Sequence, residues 1–268
     1  MTLAVALLFA LAFRQAHQDP IVRRVELALP GWPVGATPVL VALTSDVHVG
    51  GGAMDAGRLT RIMDQIAANR PDLALFAGDF ISGHDPQTAR DNAPVITAAF
   101  SRLRPKYGKI GVLGNHDHDS DPGAIAAALS AGGVTVLENR AQVRGPLVVA
   151  GIGDAFSGHN RLPDTLRSMR KLAGVRLALT HSPDIALALP SDVTILLAGH
   201  THCGQIVLPW VGALRLHAHP RYRCGIVREG ARTIIITAGL GTSLLPLRLN
   251  APPDVWLIRL GGTVPVQN

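Results

Sequence analysis

The sequence predicts an α/β fold in one domain that begins after residue 20. Short apolar runs of strand type alternate along the chain with segments of helical period. Glycine (28 residues) and proline (19) are abundant, which suits many tight corners between strands and loops. With 268 residues, 47% of them hydrophobic, the chain can bury a large core, which excludes global disorder. No linker rich in glycine, serine or proline divides it.

The first 20 residues are interpreted as an apolar segment followed by a polar tether, separate from a domain at 21–268. Residues 3–13 form an uninterrupted apolar run, and Arg14 follows it. As a helix this run would span about 16 Å, roughly half the hydrocarbon thickness of a bilayer. No basic region precedes it, as one would in a secretory signal. The interpretations are the remnant of a longer membrane anchor or a helix on a membrane surface, with a core element as the alternative.

Eight apolar runs are candidate strands because each is short and bounded by turn residues. They are residues 38–45, 73–78, 110–114, 147–152, 176–180, 194–199, 233–239 and 255–260.

Three helices are predicted between the first strands. Apolar side chains recur at helical spacing from Leu59 to Ala67 and again from Ile96 to Leu103. Asp121 and Pro122 look like an N-cap and first helical residue, and the glycine pair at 132–133 would end that helix.

Charge and cysteine content restrict the function only weakly. The chain carries 25 Lys and Arg against 19 Asp and Glu, a net charge of +6, which favours anionic partners such as phosphates or acidic lipid. No arginine cluster is interleaved with aromatic residues, so nucleic-acid binding is not favoured. Cys203 and Cys224 lack the spacing of a zinc knuckle, and a disulfide between them would need an oxidising compartment.

Five of the candidate strands deliver Asp, Asn or His at their carboxyl ends, the edge at which open α/β sheets bind ligands. The stretch "LLAGHTHCGQ" at 196–205 is the densest example, because it places two histidines and a cysteine directly after an apolar run. The side chains of metal-ligand type at these ends are Asp46, His48, Asp79, Asn115, His181, His200 and His202.

Seven such side chains exceed what one ion needs from a protein, but they suit two ions that share a bridging carboxylate. Their donors are carboxylate or amide oxygen and imidazole nitrogen, which fit manganese, iron or zinc better than a thiolate-bound structural zinc. His200 and His202 are therefore interpreted as two ligands of a two-metal centre.

The motifs "DVH", "GD", "GNHD", a histidine and "GHTH", in this order, resemble those of the calcineurin-like metallophosphoesterases. The resemblance runs from about residue 40 to the end of the chain. The stretch "GLGTSLLPLRLNAPPDV" (239–255) is also similar to the branch with bacterial membrane-associated phosphodiesterases and UDP-2,3-diacylglucosamine pyrophosphatases.

The resemblance implies a four-layer α/β/β/α sandwich for residues 21–268, with two mixed sheets flanked by helices and a dinuclear site at one edge. Asp79 would bridge the two divalent ions. The remaining ligands divide into a first set of Asp46, His48 and His202 and a second set of Asn115, His181 and His200.

The resemblance also assigns roles beside the metals. His116 would protonate the leaving group, oriented by Asp117. Arg248 would steer a substrate phosphate, with a structural salt bridge as the alternative. Two positions depart from the branch: Cys203 stands where glycine is usual and is interpreted as a small residue under the site. His118 stands where an aromatic residue is frequent and is interpreted as a substrate-side or surface group.

The predicted function is hydrolysis of phosphodiester or pyrophosphate bonds by direct attack of a metal-bridging hydroxide. The substrate would be lipid-linked or a nucleotide sugar, such as UDP-2,3-diacylglucosamine, at an anionic membrane surface. Two alternatives stay open: a soluble cytoplasmic phosphomonoesterase or cyclic-nucleotide phosphodiesterase, and an inactive binding module of the same fold. The histidines outside the motifs are interpreted as surface or loop residues: His17, His84, His159, His217 and His219.

Overall fold

The computed structural model describes the backbone of residues 2–262 and the side chains from residue 5 onward. Within that range the helices are α1 (Thr2–His17), α2 (Ala56–Ala68), α3 (Pro86–Ser101), α4 (Asn115–Asp119), α5 (Pro122–Ala131) and α6 (Leu162–Arg170).

The strands of the same range follow in chain order. They are β1 (Ile21–Ala28), β2 (Val39–Thr44), β3 (Leu73–Ala77), β4 (Lys109–Val112), β5 (Val134–Val136), β6 (Arg140–Arg144), β7 (Leu147–Gly151), β8 (Val175–Leu179), β9 (Ile195–Ala198), β10 (Val207–Leu208), β11 (Gly212–Ala213), β12 (Gly225–Glu229), β13 (Arg232–Ile236) and β14 (Asp254–Gly261).

Two six-stranded mixed sheets carry the fold. The first has the order β1-β14-β2-β3-β4-β5, and the second has the order β12-β13-β9-β8-β7-β6. From β2 to β5 and from β13 to β7 the neighbouring strands are parallel, whereas β14 with β2, β12 with β13 and β6 with β7 pair antiparallel. The strands β10 and β11 form a separate small hairpin.

The sheets pack face to face, and helices cover their outer faces. Side chains of both sheets, such as Leu43 and Leu197, share one buried cluster between them. On the other face of the first sheet, Ile62 of α2 and Phe100 of α3 pack with strand residues, and Met169 of α6 does the same on the second sheet. The predicted α/β/β/α sandwich is confirmed.

Local signals predicted many of these elements well. All eight candidate strands are present, as β2, β3, β4, β7, β8, β9, β13 and β14. The predicted cap is also present, since Asp121 accepts a hydrogen bond from the backbone N–H of Ala124 at 3.0 Å and α5 ends before Gly132. The edge strand β1 was missed, because two arginines interrupt its apolar pattern and only its pairing with β14 makes it a strand.

The N-terminal apolar run is helical, as α1, but it is not a core element. Its C-terminal half packs on the body, where Ala12 and Ala16 are buried and the backbone N–H of Arg248 donates to the carbonyl of Ala12 at 3.0 Å. Leu7 and Phe9 are exposed. Among the helices of residues 2–262, none is long and apolar enough to cross a bilayer. The boundary at residue 20 stays a prediction.

Candidate metal centre and catalytic pocket

The seven predicted ligands lie together at one edge of the sandwich, and they come from both sheets. Each follows a strand whose carboxyl end points to that edge. Asp46 and His48 follow β2, Asp79 follows β3 and Asn115 opens α4 after β4 in the first sheet, whereas His181 follows β8 and His200 and His202 follow β9 in the second.

One group of candidate ligand atoms comes from Asp46, His48, His202 and Asp79. The Nε2 atoms of His48 and His202 are 3.2 Å apart, and His202 Nε2 lies 3.3 Å from Asp46 Oδ1. Asp79 Oδ2 lies 3.6 Å from His48 Nε2 and joins this group from the other strand. All four side chains are buried.

A second group lies beside the first and shares Asp79 with it. His181 Nε2 is 3.2 Å from Asp79 Oδ2, 3.1 Å from Asn115 Oδ1 and 3.0 Å from His200 Nδ1. The carboxylate of Asp79 lies 3.6 Å from His48 Nε2 in the first group and 3.2 Å from His181 Nε2 in the second, so it stands between the two groups.

Two of the imidazole rings each donate a hydrogen bond to a backbone carbonyl through one nitrogen, which leaves the other nitrogen free to bind a metal ion. His181 Nδ1 donates to the carbonyl of Ala77 at 2.7 Å, and His200 Nε2 donates to the carbonyl of His217 at 3.2 Å. Because a carbonyl only accepts, the opposite nitrogen of each neutral ring carries a lone pair that faces the group.

The donor set fits divalent cations. Lone pairs on facing imidazole nitrogens repel one another unless a proton or a cation lies between them. Asp46 Oδ1 is also buried without a hydrogen-bond partner, although it faces His202. Buried acceptors that converge in this way are satisfied by a positive ion.

Burial and neighbouring charge shift the pKa values of the ligands in different directions. Burial raises the pKa of Asp46 to about 6 and lowers the pKa values of His48 and His200 to about 3 and about 4. Burial also opposes charge on His181, but the carboxylate of Asp79 outweighs it and raises the pKa of His181 well above its ordinary value. The carboxylate of Asp79, 3.2 Å from His181 Nε2, therefore favours positive charge at this nitrogen.

The backbone at these positions is strained. Five of the seven ligands have φ in the left-handed region, which non-glycine residues rarely adopt: Asp46 (49°), His48 (49°), Asp79 (56°), His200 (70°) and His202 (47°). Gly78 has φ of 84°, and a Cβ there would lie 2.8 Å from His181 Nδ1. Each strained residue costs roughly 1–3 kcal/mol, so the surrounding packing must hold the ligands in place.

His116 lies beside the ligand groups, at the inner end of the pocket. Its Nδ1 donates to the carbonyl of Gly83 at 2.9 Å, and its ring stacks on that of His84 with centroids 4.6 Å apart. A nitrogen of His116 also lies within 4.8 Å of ligand atoms of His48 and Asp79. Gly83 and His84 therefore orient the ring of His116.

Asp117 does not orient His116 in the predicted way. Its buried carboxylate accepts hydrogen bonds from the backbone N–H groups of Asp79, Phe80 and Gly114 at 2.8 to 2.9 Å. Asp117 thus joins the loops after β3 and β4 and holds the backbone of Asp79, so its effect on His116 is indirect.

A pocket of about 340 Å³ opens over the ligands. His84, Asp119, Arg215 and His217 contribute polar groups to its wall, although sequence reasoning placed the two histidines in loops without a role. Local sequence carries no signal for them, because they reach the pocket from loops that only the packing of the two sheets brings together. Apolar side chains also line it: Phe156, Ile206, Leu214, Leu244 and Leu245.

Arg248 is in a different place from the one predicted for a substrate-steering residue. It is fully buried, and its guanidinium donates to the carbonyl groups of Ala238, Gly241 and Ala251 at 2.6 to 2.9 Å. Its Nη2 lies 3.2 Å from His202 Nδ1. Arg248 therefore braces the loop after β13 against the metal-binding loop and does not reach the pocket.

The structure also shows the surroundings of Cys203 and His118, the two residues that depart from the branch pattern. Cys203 is buried and forms a disulfide with Cys224, which ties the His200–His202 loop to the segment that carries His217. The side chain of His118 is only 9% exposed and stacks on His159 at a centroid distance of 3.7 Å, so it is neither a surface nor a substrate-side group.

The sequence of this chain is similar to those of known phosphoesterases. Residues 39–204 match the calcineurin-like phosphoesterase family. The chain is 32% identical over 215 residues to metallophosphoesterase YkuE of Bacillus subtilis, covering 76% of this chain and 73% of the relative. It is 30% identical over 237 residues to phosphodiesterase YaeI of Escherichia coli, covering 84% and 83%. The crystal structure of nuclease MPE of Pseudomonas putida aligns with 81% of this chain and 86% of that chain, at 20% identity and a TM-score of 0.39.

Proposed function

We propose a function from the premise that this chain belongs to the calcineurin-like phosphoesterase family and is a metal-dependent phosphoester hydrolase. The proposed reaction is cleavage of the phosphodiester or pyrophosphate bonds of a lipid-linked or nucleotide-sugar substrate. The observation that carries the proposal is the position of the ligand groups: Asp79, Asn115, His200 and His202 line a pocket of about 340 Å³ that polar and apolar side chains line together.

Two divalent cations, manganese, iron or zinc, would be held by the seven converging side chains, with Asp79 between them. Asp46, His48 and His202 would complete one site, and Asn115, His181 and His200 the other. When bound, such a pair supplies a water of lowered pKa and polarises the phosphoryl oxygens. An inactive binding module would not need this set.

His116 is the proposed proton donor to the leaving oxygen. Because Nδ1 already donates to the carbonyl of Gly83, Nε2 is the nitrogen that would carry the transferable proton, which requires the ring to be protonated at both nitrogens. The stack on His84 restricts the ring to one plane, which keeps Nε2 directed while the leaving group departs.

The pocket wall supports a substrate with two chemically different ends. Arg215 and His217 line the pocket and would contact a second phosphate or other anionic group. Phe156, Leu214 and Leu244 also line it and would contact an apolar moiety. The name of the relative YaeI, a phosphodiesterase, agrees with a diester as the bond that is cleaved.

A membrane surface is the proposed place of action, with the protein bound peripherally or by its N-terminal segment. The support is the exposed apolar residues of α1, which include Leu7, Phe9 and Phe13, together with the net charge of +6.

A comparison of reporter substrates tests the proposed function. Purified protein with manganese would be assayed on bis-p-nitrophenyl phosphate, on p-nitrophenyl phosphate and on UDP-2,3-diacylglucosamine in vesicles. We expect the diester and the lipid-linked pyrophosphate to be cleaved with the higher kcat/KM. A preference for the monoester would indicate the soluble phosphomonoesterase, and no hydrolysis by metal-loaded protein would indicate a binding module.

A further inference from the structure

Large apolar side chains are exposed around the opening of the pocket. Five of them form what we call the mouth surface, with exposed fractions of 104% for Trp210, 70% for Val211, 58% for Leu214, 78% for Leu244 and 56% for Leu245. Scattered exposed apolar residues are ordinary, but a group that surrounds a functional pocket marks an interaction site.

Two loops form the mouth surface, and one residue holds them together. The hairpin of β10 and β11 carries Trp210 at its tip, and the other loop carries Leu244. The side chain of Gln205 donates to the carbonyl of Ser243 at 2.9 Å and accepts from the Ser243 N–H at 2.9 Å. Because Gln205 follows the His200–His202 loop directly, the mouth surface is attached to the ligand cluster.

Two of these side chains stand at backbone positions with unfavourable dihedral angles. Trp210 and Leu244 both have φ of 63°, in the left-handed region where glycine or asparagine is expected at a loop tip. Strain of roughly 1–3 kcal/mol per residue is commonest at functional sites. Bulky apolar residues at both tips therefore indicate that the side chains themselves are needed there.

The charge around the mouth surface is positive. Four arginines of residues 193–253 are exposed, Arg215, Arg221, Arg223 and Arg228, whereas Arg248 is buried and Arg232 bonds to backbone carbonyl groups. The acidic residue of this stretch, Glu229, is paired with Arg221 at 3.0 Å. Arg215 stands in the pocket wall beside Leu214. Apolar tips within a cationic region fit a layer of anionic lipid headgroups above acyl chains, and tryptophan favours that interface.

The helix α1 continues this region on one side. The segment that follows Leu245 reaches α1, because the N–H of Arg248 donates to the carbonyl of Ala12 and the N–H of Ala251 donates to Gln15 Oε1. Exposed apolar residues of α1 thus lie on a helix that is bonded to the same loop.

We infer that the mouth of the pocket docks on an anionic lipid surface, with Trp210, Val211 and Leu244 in the boundary between headgroups and acyl chains. This inference rests on the proposed function only for the hydrolysis that follows docking: a lipid-linked phosphate in the bilayer would then enter the pocket without leaving the membrane.

Tryptophan fluorescence tests the docking directly. The chain has three tryptophans, of which Trp32 and Trp256 are only 9% and 7% exposed. The full chain would be mixed with vesicles of brominated phosphatidylglycerol and phosphatidylcholine. We expect bromine to quench Trp210, with a shift of its emission to shorter wavelength, and the Trp210→Phe variant to lose this response. An unquenched Trp210 on bound vesicles would overturn the inference.

A matched set of variants separates docking from folding. Trp210→Gly relieves the left-handed strain and, with Val211→Ser, should lower vesicle affinity roughly tenfold or more while the thermal midpoint is kept. Both positions lie outside the pocket wall, so hydrolysis of the soluble diester should not change. The control is Val34→Ser, because Val34 is 106% exposed but precedes β2, at the opposite edge of its sheet.

The outcomes distinguish this inference from the proposed function. Loss of vesicle binding in the Trp210 and Val211 variant, with diester hydrolysis retained, supports docking. Equal vesicle binding by this variant and by the Val34 control overturns it, even if the enzyme cleaves diesters normally. A concentration-dependent dimer in sedimentation that the same variant abolishes, without quenching by lipid, would show instead that a second copy covers the mouth surface.

Discussion

The ligand cluster buries polar side chains, whereas the mouth surface exposes apolar ones. Each is the reverse of what is usual in a folded protein. In the cluster, carboxylates and imidazoles are buried with acceptor atoms facing one another. At the mouth surface, tryptophan and leucine side chains are exposed to more than half of their area. Both regions include non-glycine residues with positive φ, among them Asp79 and Trp210.

The difference shows what each region requires from its surroundings: cations in one case and an apolar phase in the other. Converging buried acceptors are satisfied by cations, whereas exposed apolar tips are satisfied by an apolar phase. The strained backbone is acceptable in both because packing elsewhere, including the brace made by Arg248, holds the loops. The following substitutions disturb the cluster and leave the mouth surface intact.

The largest effect is expected from Asp79→Ala, since the Asp79 carboxylate lies 3.6 Å from His48 of one ligand group and 3.2 Å from His181 of the other. Loss of an outer-shell partner already weakens metal binding by roughly 10- to 100-fold, so loss of this residue should exceed that range and abolish hydrolysis. Elemental analysis and diester assays would measure both. Asp119→Ala is the control, because Asp119 lines the pocket outside the ligand groups, and equal metal loss there would contradict the assignment.

The substitution His116→Ala should keep the metals but lower the rate by roughly 10²- to 10⁴-fold. The loss should be smaller on a diester whose leaving group is acidic, because that group departs without a proton. His116 also lies within 4.8 Å of His48 and Asp79. Loss of metal in a folded variant would therefore show that His116 is a ligand and not a proton donor.

The substitution Arg248→Met should lower stability and not substrate binding. It would leave buried carbonyl groups of Ala238, Gly241 and Ala251 without their donor, at about 1–3 kcal/mol for each unsatisfied group. Denaturant unfolding should show the loss, and Arg259→Met on the exposed side of β14 should not. Unchanged stability with a raised KM would restore the original interpretation of Arg248 as a substrate contact.

The last prediction concerns pH, which changes metal affinity gradually and reversibly without altering a residue. Metal binding requires deprotonated Asp46, whose pKa burial raises to about 6, and deprotonated His181, whose pKa Asp79 raises against the effect of burial. His48 and His200 stay neutral from pH 5 to 8, because their pKa values are about 3 and about 4. Metal affinity should therefore fall as the pH falls from 7 to 5, by up to about tenfold per pH unit for each proton displaced. Calorimetry in two buffers would count the released protons, and a pH-independent affinity would contradict this.

Much of the cluster could be predicted from local sequence. An apolar strand run is a short-range pattern, and the residue that follows it lies at a known edge of the sheet. Asp46, Asp79 and His200 each stand directly or almost directly after such a run, so their meeting at one edge could be expected before their distances were known.

The surroundings of the cluster could not be predicted in this way. His84 and Arg215 enter the pocket from loops, and the carboxylate of Asp117 bonds to backbone groups nearly 40 residues away in the chain. Periodicity reports whether a side chain faces inward or outward, but it does not report which distant loop lies beside it.

The sequence by itself determined the α/β fold, the ligand types and the strand ends at which they stand, because these depend on hydrophobic period and on the chemistry of single side chains. Only the tertiary structure decided that Arg248 is a brace, that Cys203 meets Cys224, and that Trp210 and Leu244 flank one pocket. The physical reason is the distance along the chain between the residues in contact. Gln205 bonds to Ser243 across 38 residues, and such a contact depends on how the two sheets pack and not on the pattern within either loop.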